Sequence, residues 1–380
     1  MTVGRIKCLL VLIFSLFSRL IFAQGEPSTQ SEPPKSFDAD EVIFGHVLDA
    51  HEFHFFSYRD GNGKELQAII PLPVILYSPQ RGFSVFMSSK FRDGEENYKG
   101  YSLITVGKLK HLGEKYHAGQ IVAVGNDGNI DESVKVYDLS LTRNVVQMII
   151  ALALLVWVMI SIAKKYQRGE GVHSAPKGSQ SLLEPVIIFI KDEVAKPNLG
   201  RRYQKYLPYL LTVFFFILFN NLVGLIPGTA NVTGNIAFTF VLAVTSFVVI
   251  LFSSNKHYWG HIINPPVPIG VKPILIPVEI LGIFTKPFAL MIRLFANMIA
   301  GHIIIICLVS LIFIFGALST GIGWGFSPLS VGFVIFIYFI EILVAFLQAY
   351  IFANLTAVFI GQAFEGSHDD GEHHEDALIV

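Results

Sequence analysis

Fixed charge is scarce in this chain. Of its 380 residues only 15% are Asp, Glu, Lys or Arg, against about 25% in soluble domains, so an ordinary water-facing surface is excluded over most of its length. Cysteine is scarcer still: Cys8 and Cys307 are the only two, too few for a disulfide framework. A formal net charge of −1 leaves out the basic excess that nucleic-acid binding requires, so no nucleic acid is expected as partner. The sequence holds no phosphate-binding loop and no nucleophile triad, so this chain is expected to do no nucleotide or covalent chemistry and to need no cofactor. Nor does it show the internal repeats common in secondary transporters. What it has in quantity is apolar: 52% hydrophobic residues, 33 of them Phe, and a mean hydropathy of +0.56. That balance marks an integral membrane protein.

Composition changes along the chain. Residues 1–23 read as a secretory signal peptide: Arg5 and Lys7 precede an apolar core at 8–22, and IFAQG offers a cut after Ala23. An uncleaved anchor is the alternative, and either one exports the residues beyond it. Residues 24–36 are polar and proline-rich, a linker. Residues 37–140 have soluble composition and are expected to form a small β-rich exported domain. Two partly alternating runs flank Asp60-Gly61-Asn62-Gly63, a hairpin signal, and ESVKVYDLSLT is a further β-type run. DAHEFH could offer His51, Glu52 and His54 to a metal, but histidines beside strands are more often structural. The tail at 367–380, with HDDGEHHEDALIV, reads as a solvated cytoplasmic end.

Between them, residues 141–366 carry the apolar runs. Those at 145–163, 207–226 and 236–253 each match a hydrocarbon core of about 30 Å. Two longer runs, 287–316 and 328–364, approach roughly 45 and 55 Å as helices, so each is strongly tilted or carries a bent segment. GALSTGIGWGFSP between them reads as a turn. The segment 164–206 holds nine Lys/Arg against four Asp/Glu, which places it in the cytoplasm; the uncharged PGTANVTGN and the turn at 317–327 then lie outside. The expected architecture is an all-α polytopic membrane protein of about five transmembrane helices, the last two long and tilted, with a β-rich exported domain in front.

From Lys286 to Glu341 the only residue of fixed charge is Arg293. An arginine at mid-bilayer costs about 2.5–3.5 kcal/mol on insertion scales, so this position is a candidate for function. Asn297 lies four residues on and shares its helical face, with Ala289, Ala296, Ala300 and Gly301 on or beside the stripe. Such small residues let another helix approach closely. On the last run Glu341, Ala345, Gln348 and Ala349 form a comparable stripe. One reading is a structural Arg293–Glu341 salt bridge with His302 filling a polar gap. The other is a proton route, since Glu and His can exchange protons while Arg, with a pKa above about 12, acts as a fixed charge.

TKPFALMIRLFANMIAGHIIII and EILVAFLQAYIFANLTAVFIGQAF together resemble the a subunit of F-type ATP synthases. LPYLLTVFFFILFNNLVGLIPG is similar to the family's N-L-x-x-L-x-P span, with Asn221 and Pro227 in place. The resemblance covers roughly 141–366. It puts Arg293 on the family's essential arginine, which faces a carboxylate of the c-ring and blocks proton leak, and Asn297, Gln348 and Asn221 on its polar companions. His302 stands where Glu is frequent and Glu341 where His is frequent, so the pair is exchanged; Gly224 stands where some members carry Asp. The implied function is proton translocation through two half-channels against the c-ring, coupled to ATP synthesis whose catalysis belongs to other subunits. The implied partners are the c-ring, a b-type peripheral stalk subunit, the remaining subunits and the lipid of a bacterial inner membrane. FGHVLDAHEFHF resembles a short N-terminal GHxL segment of the family, whereas 57–130 looks like an insertion. A stand-alone channel or transporter, a membrane-tethered binding protein, and a Na⁺-coupled version of the same subunit are the alternatives.

Overall fold

The computed structural model describes residues 49–364 apart from 60–64, 93, 95, 106, 110–115, 126–127, 170–177, 227–228, 264–267 and 269. The expected signal peptide, linker and tail, the turn at 60–63, the GHxL segment at 45–48 and Pro227 lie outside the described residues.

Among the described residues the strands all precede residue 143. β1 (Glu52–Arg59) and β2 (Glu65–Pro71) pair antiparallel with a bulge between His54 and Phe56. β3 (Pro73–Ser78) is the centre of a sheet ordered β4–β3–β7, with β4 at Gly82–Met87 and β7 at Tyr137–Asp138. β5 (Tyr101–Leu103) and β6 (Ile121–Ala123) form a third antiparallel pair. Alternation in PVILYS turns Val74 and Leu76 inward, where they pack with Phe91, Tyr101 and Ile121. The run ESVKVYDLSLT forms a shorter strand than its composition suggests, because only Tyr137 and Asp138 find ladder partners on β3.

His51 has a structural role: the buried ring sits 2.9 Å from Asp138 Oδ2, tying the start of the strand region to its end. Burial alone would raise the Asp138 pKa, but hydrogen bonds from His51 and Ser140 outweigh it and hold the carboxyl below its ordinary value. A depressed carboxylate stabilises the fold above the unfolded pKa, and that contribution is lost as pH falls through the folded value. Protease resistance of the strand region in the full-length protein should therefore be pH-independent near neutrality and fall only in acid below the usual 3.8 of aspartate. Asp138→Asn should remove this acid dependence and lower resistance at neutral pH; an unchanged acid profile in that variant would dismiss the contact.

From residue 143 on, the described residues are mainly helical. α1 spans Arg143–Gln167 and α2 Ser179–Phe189. A π-helical turn at Ile190–Ala195 joins α2 to the short α3, Lys196–Leu199, and a 3₁₀ turn leads into α4, Tyr203–Gly224. α5 is Ile236–Ser253, with its N-terminus capped by the Asn235 side chain; α6 is Lys256–Ile263. α7, Lys272–Leu318, and α8, Thr320–Phe364, are antiparallel neighbours of 47 and 45 residues. Among the described residues five helical stretches are long and apolar enough to cross a membrane, so the fold is a polytopic helical membrane protein with a small strand-containing region in front.

Three expectations change in detail. The charged segment 164–206 is not a plain loop, because its second half folds as α2, α3 and their connecting turns into a continuation of the second span. Pro287 and Pro328 begin no helices; α7 runs through Pro277 and Pro287, and α8 through Pro328. The glycine-rich stretch is no extended turn either: Ser319 alone, with extended backbone, separates α7 from α8. Gly323 serves packing instead: a Cβ there would stand 2.7 Å from the Gly316 Cα, so its lack of a side chain lets the hairpin close, whereas a Cβ on Gly316 would meet open space.

The membrane core is knit by α4 and α8. Leu210, Phe214, Phe215 and Ile217 pack against Ala349, Phe352, Ala353, Ala357 and Ile360, all essentially inaccessible. Alanines at 345, 349, 353 and 357 recur every four residues and so line one face. The small face expected of the last helix is therefore turned inward. Its tightest point is Gly361, where a Cβ would lie 2.2 Å from the Asn198 carbonyl.

Candidate functional site

The polar groups singled out in the sequence converge on the α7–α8 seam. Asn297 Nδ2 donates to Gln348 Oε1 at 2.9 Å. One turn further along α7, Gly301 lies directly under Glu341: a Cβ there would stand 2.0 Å from Glu341 Oε1 and 2.9 Å from its Cδ. Glycine at 301 thus makes the room the carboxylate occupies. On the third side Asn221 of α4, fully buried, donates to the Ala345 carbonyl at 3.2 Å. Asn297, Gln348 and Glu341 line a polar seam between α7 and α8, with Asn221 hydrogen-bonded to the α8 backbone at Ala345 beside it.

His302 is the neighbour of Gly301 and so reaches the same level as Glu341, but no hydrogen bond or ion pair joins the two side chains among the described residues. His302 Nε2 and Glu341 Oε2 are both buried without a hydrogen-bond partner. Buried polar atoms almost always have partners, so two open ones on one level form an unusual pair.

Arg293 is half-buried and belongs to none of this. Among the described residues it makes no hydrogen bond and no ion pair, so the structural salt bridge to Glu341 is not formed. The stripe it shares is open: Ala289, Ala296, Asn297 and Ala300 are all exposed along α7. Arg293 and the alanines beside it lie on this open side of α7, while Asn297 at its edge also reaches Gln348 on α8.

Sequence reasoning passed over the first turns of α1. Arg143, 5% exposed, opens that helix and lies in electrostatic range of His302, while Asp49 and Glu52 act on Arg143 in turn. The strand region is docked here: the Arg143 amide donates to the Ala50 carbonyl at 2.8 Å and the Asn144 amide to Asp49 Oδ1 at 3.2 Å. Asp49 thereby caps α1 from 95 residues away in sequence. Gln147, one turn on, pairs both its amide atoms with the Ala230 backbone, and Asn231 Nδ2 donates to the Met298 carbonyl at 3.1 Å. The uncharged connection after α4 is pinned in this way between α1 and α7. The available signal was the i, i+4 placing of Arg143 and Gln147 on one face of the first span.

A family model described as ATP synthase A chain matches residues 145–361. The chain belongs to that family. Among its relatives, ATP synthase subunit a of Chloroherpeton thalassium is 46% identical over 239 residues, 62% of this chain and 69% of the relative. ATP synthase subunit a 2 of Chlorobaculum tepidum is 46% identical over 256 residues, covering 64% and 71%. ATP synthase subunit a of Myxococcus xanthus is 40% identical over 250 residues, covering 63% and 78%. The matched region begins two residues into α1 and ends in the last turn of α8, so it contains every residue of the polar seam. A second family model, described as a domain of unknown function (DUF8433), matches residues 42–139, the strand region.

Proposed function

We infer that this chain is the proton-translocating a subunit of an F-type ATP synthase membrane sector, working against a c-ring. The observation that carries this reading is Arg293, a half-buried membrane cation with no ion-pair or hydrogen-bond partner among the described residues, beside an open strip of small residues. A buried charge needs an opposite charge, and the partner here is a carboxylate on a ring of other chains. Each ionised ring carboxylate is attracted as it arrives and gives up its proton. Because Arg293 does not release its own, it separates two half-channels that would otherwise leak into one another. Each proton descending the potential releases about 2.3 kcal/mol per 100 mV, which drives the ring.

In this reading the outer half-channel passes His302 and Glu341, where open polar atoms suit exchange with water. Arg143, with Asp49 and Glu52, stands at its mouth. Asn297, Gln348 and Asn221 line the approach to Arg293. Residues 1–23 direct export, 24–36 link, 37–140 lie in the periplasm, 141–366 span the inner membrane, and 367–380 end in the cytoplasm. The Lys/Arg excess of 164–206 supports that orientation. The b-type stalk subunit and the catalytic head complete the assembly, and ATP is handled there and not on this chain.

Purification from detergent-solubilised membranes tests the assignment: a tag on this chain should recover an intact multi-subunit ATPase, and recovery of the chain alone would favour a stand-alone channel. Within the subunit, Gly301→Ala tests the seam. The added methyl must displace the Glu341 carboxylate, so proton conduction per assembled complex should fall several-fold. Unchanged conduction would show that the carboxylate's position is immaterial.

A further inference from the structure

The sheet β4–β3–β7 carries apolar residues on both faces. Its inner face holds Val74 and Leu76 in the core. On the outer face, the register places Tyr77 opposite Phe83 and Tyr137, and Ile75 opposite Val85, while the Leu139 amide donates to the Ile75 carbonyl. Pro73 stands opposite Met87, and Leu141 keeps the parity of Leu139 and Tyr137. The result is three rows of three: Tyr137, Tyr77 and Phe83; then Leu139, Ile75 and Val85; then Leu141, Pro73 and Met87. None of the nine is charged. Phe83 is 72% exposed, Val85 60%, Leu139 59% and Tyr137 53%. An antiparallel sheet with one face on a core normally presents polar side chains on the other, and contiguous exposed apolar patches of this kind mark a binding surface.

The chain itself indicates what covers it. The row Leu141–Pro73–Met87 ends two residues before Arg143, where α1 begins, and the farthest row is six residues away, at most about 20 Å of extended chain. α1 is 25 residues long, about 37 Å, which exceeds a hydrocarbon core of about 30 Å. Its first turn therefore stands at headgroup level, and the apolar rows begin there. Beyond them the exposed flank of α1 continues with Ile149, Ile150, Leu152 and Trp157. Tyr77, Tyr137 and Phe83 supply the aromatic bodies and hydroxyl tips that favour the interfacial zone. We propose that the outer face of this sheet lies against the bilayer, in the leaflet where α1 starts, and that the strand region is a lipid-seated collar around the first span. The proposal rests on α1 crossing the membrane and is independent of the proton-path reading.

Nitroxide labels on the assembled complex in lipid vesicles test it. In a background with Cys8 and Cys307 replaced by alanine, single cysteines at Val85, Phe83 and, as control, the exposed Lys135 are labelled, and collision with oxygen and with a water-soluble nickel chelate is measured. A membrane-seated face gives high oxygen and low nickel collision at 83 and 85, an oxygen-to-nickel ratio several-fold above that at 135. High nickel collision at 83 and 85 would place the face in open water. Low collision with both reagents would place it under protein, whether another subunit, a second copy or the residues before 49. Either result overturns the proposal.

Discussion

Arg293→Ala is expected to abolish proton-driven ATP synthesis in membranes that still contain the assembled complex. On stability grounds alone the change should help: it removes a charge that costs about 2.5–3.5 kcal/mol at mid-bilayer and breaks no ion pair or hydrogen bond within the described residues. Loss of function with normal assembly therefore isolates the role of the charge. In the proposed mechanism, nothing would then favour ionisation of an arriving ring carboxylate, and nothing would separate the two half-channels. Arg293→Gln should fail in the same way, and Arg293→Lys largely so, because a compact ammonium lacks the planar fork and deprotonates when desolvated. ATP synthesis by inverted vesicles, normalised to complex content, is the readout. Wild-type rates in Arg293→Ala vesicles would remove the basis of the assignment.

Glu341→Gln should slow proton conduction by roughly 10²-fold, the scale of a lost general acid–base group. The substitution keeps the shape over Gly301 and the capacity for hydrogen bonds but cannot ionise. A side chain that only spaces α7 from α8 would barely register the change, whereas a proton relay would. His302→Ala should have a comparable effect. The double exchange His302→Glu with Glu341→His should recover part of what each single change loses, since the two occupy one level of the seam and the family resemblance suggests both arrangements. A double exchange no better than the single variants would separate the two residues functionally. Normal conduction by Glu341→Gln would leave the seam structural.

Much of this was legible because membrane helices have few ways to hide. Five apolar runs, a lone fixed charge at Arg293 and a stripe of small residues beside it emerge from composition and spacing. What spacing could not show is where chain continuity overrides a breaker. The apolar runs begin at 287 and 328, yet both helices start earlier and run through the prolines there, which a membrane bundle tolerates. The glycine-rich stretch around 316–323 suggested a turn, whereas the value of Gly323 lies in close helix approach. Spacing set His302 and Glu341 beside each other as candidates, but the close contact of Glu341 is with Gly301, which only coordinates reveal. Arg143 was the larger omission. An arginine at the edge of a span reads as an interfacial anchor, and only the fold brings Asp49, Glu52 and His302 around it.

The most direct test of the central claim is passive proton flux through the purified membrane sector, reconstituted in vesicles after removal of the ATP-hydrolysing head. With a potassium-diffusion potential applied in sodium-free buffer, wild-type vesicles should acidify at a rate proportional to complex content, and Glu341→Gln vesicles should acidify far more slowly. Acidification no faster than protein-free lipid in the wild type, or equal rates in the wild type and Glu341→Gln, would contradict a proton path through this chain.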